Sequence, residues 1–94
     1  MEITVAGKRV VFRDRTPARQ NWPMLALSQL AVRDDEQGYE ALVKLATMLI
    51  EEWEFPGDPK DPTSYAELDL FGEFLPLTRA ISEELARRSE MVKN

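Results

Sequence analysis

The chain has 94 residues, a formal net charge of −5, 44% hydrophobic and 31% charged residues, and neither cysteine nor histidine. That length holds one domain, 1–94, with a thin core, and the composition is that of a folded globule rather than a disordered tail. Without cysteine and histidine there are no disulfides, thiolate nucleophiles, Cys/His zinc sites or imidazole bases, and the acidic balance repels phosphate backbones and anionic lipids.

In ITVAGKRVVF two β-branched runs flank Ala6-Gly7, and Gly7 can take the positive φ that a tight turn requires. A short hairpin over about 2–14 is expected, lying on the helices that follow because two strands alone are marginal in water. No basic region followed by an apolar stretch opens the chain, so no signal peptide is read. No apolar run approaches the roughly 20 residues of a membrane span. A cytoplasmic protein is the expectation.

Thr16-Pro17 has the grammar of an N-cap followed by proline at the first helical position, and Trp22-Pro23 is placed to break that turn and begin another. The helical region is expected over about 17–32. Met24, Leu25, Ala26, Leu27, Leu30, Ala31 and Val32 make its second part nearly all apolar, which reads as a helix buried on more than one side and central to the core. Arg33 to Gly38 is a polar surface connection.

The next helix, about 37–54, carries Tyr39, Leu42, Val43, Ala46, Leu49, Ile50 and Trp53 at spacings of three and four, on one face. Glu40 and Lys44 read as a supporting i,i+4 pair. Pro56 is expected to stop this helix, with Gly57, Pro59 and Pro62 shaping an extended loop. Ser64-x-x-Glu67 reads as a capping box that opens a last helical region, about 64–90. Pro76 should kink or divide that region, and Glu83-Arg87 and Glu84-Arg88 should pair on its solvated side. The fold class that results is mostly α: a small helical domain with a short N-terminal β-hairpin.

Reactive chemistry is hard to place. Lys8, Arg9, Arg13, Arg15 and Arg19 read as a solvated face balanced by acids, without the aromatic or helical signature of nucleic-acid binding. The acids from Glu51 to Asp69 lack the alternating order of a calcium loop. Glycosidic hydrolysis by paired carboxylates would need a cleft between them. The four glycines are scattered, so no phosphate-binding loop is present, and Lys44 reads as an exposed, ordinary ammonium. No catalytic, metal or cofactor-binding residue is expected. Trp53 and Phe55 are either packed on the last helix or displayed as binding anchors.

From Ile50 to Ile81 the sequence IEEWEFPGDPKDPTSYAELDLFGEFLPLTRAI is similar to the pattern of tail assembly chaperones of long-tailed bacteriophages. The shared features are an apolar helix ending in tryptophan, a short acidic Gly/Pro connection, and a Leu-rich segment with a Leu-Pro-Leu step into a final helix. The resemblance implies a helical, non-enzymatic protein of the host cytoplasm that keeps a tape measure protein soluble while tail tube subunits assemble around it. The expected partner contacts are Trp22, Trp53, Phe55, Phe71 and Phe74, with no cofactor, nucleic acid or membrane involved. A structural or adaptor subunit of a phage particle, self-associating as a homo-oligomer, is the alternative; a small transcriptional or toxin-neutralising regulator is a third reading.

Overall fold

Two β-branched runs meet through a two-residue turn. The computed structural model describes residues 1–93, with side chains for all of these except Gln20 and 90–93. Strand β1 (Glu2–Val5) pairs antiparallel with β2 (Lys8–Phe12), Val5 opposite Lys8. Ala6 and Gly7 between them have φ of 51° and 77°. Positive φ at both central positions is the type I′ geometry, whose twist matches that of the flanking strands. Val5, Val10 and Phe12 face inward and are buried.

The expected region 17–32 is two helices, α1 (Ala18–Asn21) and α2 (Pro23–Leu30), divided at Trp22-Pro23 as the sequence suggests. Thr16 is not the cap. Pro17 occupies that position with ψ 135°, because its carbonyl accepts the first helical hydrogen bond, from Asn21 N at 3.1 Å. The expectation that α2 is central to the core is overturned: Met24 is its one buried residue, while Leu25 is 73% and Leu30 43% exposed. The helix touches α3 along one side and presents the rest of its apolar surface outward.

Helix α3 (Glu36–Leu49) is the centre of the molecule. Asp35 caps it, its Oδ1 accepting from Gly38 N at 2.9 Å. A Cβ at Gly38 would stand 1.9 Å from the Arg33 carbonyl oxygen, so the first turn lies against the preceding backbone as only glycine allows. Leu42, Leu45, Ala46 and Leu49 face the core, together with Val10, Phe12, Ile50, Leu77 and Ile81. The buried face is therefore turned away from Tyr39 and Val43, which lie on its flank.

The helix ends at Leu49, not near residue 54, and Pro56 does not stop it. Ile50 is extended (φ −85°, ψ 123°) and opens β3 (Ile50–Trp53), the third strand of a sheet ordered β1-β2-β3. Val10 stands opposite Trp53 and Phe12 opposite Ile50, with an irregularity between Val11 and Phe12 in the register. That bulge is what lets Ile50 and Trp53, three apart, share one face; a regular strand would send them to opposite faces. Spacing of three imitates a helix, which is why the sequence reads as one through Trp53. The last carbonyls of α3 are satisfied from β2's end: Arg13 N donates to Leu49 O at 2.8 Å and Arg13 Nη1 to Met48 O at 3.3 Å.

Beyond the loop, α4 (Thr63–Ala66) is one short turn. The expected Ser64 capping box is absent, since Ser64 is inside the turn and buried. Pro62 holds the cap position without a side-chain bond, and Asp61 before it accepts from Thr63 N at 3.0 Å and Thr63 Oγ1 at 2.8 Å. A π-helical turn, Leu70–Phe74, leads directly into α5 (Leu75–Lys93). The run is not split at Pro76: the accommodation falls just before it, where the wider turn carries Phe74 N to Asp69 O at 2.8 Å and continues straight into α5. Asp69 Oδ2 accepts from Gly72 N at 2.7 Å while Glu73 Oε1 accepts from Asp69 N at 2.9 Å. This is a reciprocal cap, stretched by one residue to suit the π turn.

On α5 the pair Glu84-Arg88 forms, Arg88 Nε lying 2.6 Å from Glu84 Oε2, but not on a solvated side. Glu84 is 2% exposed and also takes Arg87 Nε at 2.8 Å and Nη2 at 2.6 Å. The Arg87 hydrogen bonds, opposed by burial and joined by Arg88, hold its carboxyl below the ordinary value. Arg88 Nη2 also donates to the Arg13 carbonyl. Two members of the expected basic face are thus built into the fold: Arg13 as described, and Arg9 paired to Glu2 at 3.1 Å and to Glu52 at 3.6 Å.

Candidate protein-docking surfaces

A long helix flanked by a one-turn helix and a π turn cannot be covered completely by either. Between α3 on one side and α4 with the π turn on the other runs an open groove of about 820 Å³. Its walls are Tyr39 and Val43 from α3, Tyr65 and Ala66 from α4, and Leu68, Leu70 and Phe74 from the segment that follows. Tyr39 and Phe74 meet edge to face across it, ring centroids 6.2 Å apart.

The tyrosine hydroxyls of these walls are already bonded within the chain. Tyr65 Oη donates to the Pro59 carbonyl at 2.6 Å, and burial, with Asp58 adding to it, pushes its phenol well above the usual tyrosine range, so the ring stays neutral. Tyr39 Oη donates to Asp34 Oδ1 at 2.9 Å. What remains for an occupant is apolar surface bordered by charge. Glu36, Glu40 and Lys44 follow one another along the α3 rim. None of the three makes an ion pair among the described residues, so the Glu40-Lys44 pair read from the sequence does not form.

A second surface lies between the first two helices and α5. A cleft of about 550 Å³ separates α1 and α2 from α5, with Trp22, Met24 and Leu25 facing Leu85 and Arg88. Trp22 (64% exposed) and Val32 (83%) extend the apolar area of α2 into solvent.

The five aromatic residues singled out from the sequence do not form one surface. Phe55 is buried in the core, which removes it as a contact. Trp53 is half-buried, with ring centroids 5.4 Å from Phe55 and 4.8 Å from Tyr65, and its Nε1 donates to the Gly57 carbonyl at 2.9 Å. It shapes the loop after β3 rather than standing free. Phe74 belongs to the groove, Phe71 is exposed just beyond it, and Trp22 belongs to the second surface. Tyr39, Val43, Leu68 and Leu70 were missed. Tyr39 and Val43 fall within the apolar spacing of α3, and only their place at the edge of that stripe sets them apart from the core.

The acidic loop is structural. Asp58 Oδ1 accepts from Lys60 N at 2.9 Å and Asp61 Oδ1 from Thr63 N at 3.0 Å, and among the described residues no three acids gather into a metal-binding group. No described helix is long and apolar enough to cross a membrane. Comparison with protein-family models, with curated proteins and with solved structures finds no match.

Proposed function

We propose that this protein acts by binding rather than by covalent chemistry, as a phage tail assembly chaperone that shelters apolar helical segments of a tape measure protein. The observation that carries this reading is the groove beside α3: open, apolar, and with its hydroxyls already bonded inside the chain. A small polar substrate would find no free convergent donors on its floor, whereas the apolar stripe of a helix needs shape and dry surface. The stretch whose sequence resembles the chaperones supplies one whole wall, from Tyr65 to Phe74.

Co-expression with a tape measure protein tests the proposal. The protein should raise its soluble fraction and co-purify with it, and Val43→Asp, which places a carboxylate on the groove wall, should abolish both. Unchanged solubility and no co-purification would count against the reading.

The α2 face supports a second reading, a structural or adaptor subunit that self-associates. Trp22, Leu25 and Val32 are each largely exposed on or beside this helix, and exposed apolar surface of this kind marks association sites. A concentration-dependent oligomer in sedimentation, dispersed by Leu25→Lys, would favour it.

A further inference from the structure

The charge order on the groove rim specifies its occupant more narrowly. Glu36, Glu40 and Lys44 are each four residues apart on α3, so they stand about 6 Å apart in a line along the groove. All three lack ion-pair partners among the described residues, whereas Asp35, the remaining charged residue of the groove lining, is paired with Arg33 at 2.6 Å. The opposite wall offers no compensating cation, since Pro62, Thr63, Ala66, Leu68 and Leu70 are uncharged.

We propose that the groove takes an amphipathic helix of a partner protein whose apolar stripe is bordered by two basic residues and, one turn further along, an acidic one. Lysine or arginine over Glu36 and Glu40 gains the charge contacts that the fold leaves open, and an acid over Lys44 fixes the direction in which the helix lies. Apolar burial supplies the affinity, and the acid-acid-base line supplies selection and orientation. The inference rests on the helix-binding reading above, but it is separable from it.

Two synthetic helices of about 18 residues, long enough to be helical in isolation, share one leucine stripe. One has lysine along the border facing Glu36 and Glu40, the other glutamate. Binding to the full chain is followed by fluorescence anisotropy and by amide shifts of Tyr39, Val43 and Phe74. The lysine peptide should bind about tenfold more tightly at low salt, and the margin should shrink at about 0.5 M salt, where screening shortens the reach of exposed charges. The exposed double variant Glu36→Lys, Glu40→Lys should reverse the preference.

Equal affinity of the two peptides at the groove, in both proteins, would overturn the charge inference while leaving helix binding intact. If neither peptide shifts the groove amides, helix binding itself fails. Loss of the groove amides to a self-associated form, restored by dilution, would also overturn the proposal by making a second copy the occupant.

Discussion

Helices α2 and α3 invert the expectation that the more apolar helix is the more deeply buried. Helix α2, PMLALSQL, carries no charge, yet only one side is covered and Leu25 stands out in solvent. Helix α3, EQGYEALVKLATML, carries three charged residues, yet its Leu45, Ala46 and Leu49 are fully enclosed. Burial depends on how many neighbours a helix has: α3 is flanked by α2, α5 and β3, whereas α2 lies at the edge against α3. An apolar surface without neighbours is material for association. The same contrast recurs within α3, between Leu45 on the enclosed face and Val43 on the groove.

The largest effect expected from this contrast comes from Leu49→Ala. It removes a side chain with no exposure and should cost about 2–5 kcal/mol in chemical denaturation. Gly38→Ala tests the seat of α3's first turn. Its Cβ meets backbone rather than a flexible side chain, so a loss of about 1–3 kcal/mol is expected, and an unchanged midpoint would show that the turn can shift freely.

Glu84→Gln probes the anchor of α5, on which α3 rests, and should cost about 1–2 kcal/mol because half-exposed Arg87 shares the interaction with solvent. Because the folded carboxyl lies below its ordinary value, its contribution is complete above a pH of about 4.3 and is lost as pH falls through the depressed folded value. A denaturation series over acid pH should therefore show the two proteins converging at the low end. The smallest effect is Leu25→Ala on α2, within about 0.5 kcal/mol. A loss comparable to that of Leu49→Ala would break the comparison and show that α2 is covered in solution.

The hairpin was legible because Ala6-Gly7 between β-branched runs is a local signal, and the break at Trp22-Pro23 was legible for the same reason. The groove was only partly so. Phe74 was singled out by residue type, whereas Tyr39 and Val43 were hidden within a periodicity that cannot tell a core face from its flank. For Trp53 and Phe55 the sequence leaves packing and display open, because the turn that brings Trp53 against both Phe55 and Tyr65 has no signature of its own.

The sequence by itself determined what depends on neighbouring residues: the hairpin, the existence of α3, the break at Pro23 and the absence of thiol and imidazole chemistry. The tertiary structure alone decided which apolar sides are enclosed and where α3 ends. Ile50 and Trp53 satisfy a helix and a bulged strand equally well, and the choice falls to the strand because β2, far away in the chain, offers an edge to pair with and Arg13 to close the helix. Pairing of that kind is a long-range energy, and spacing along the chain does not encode it.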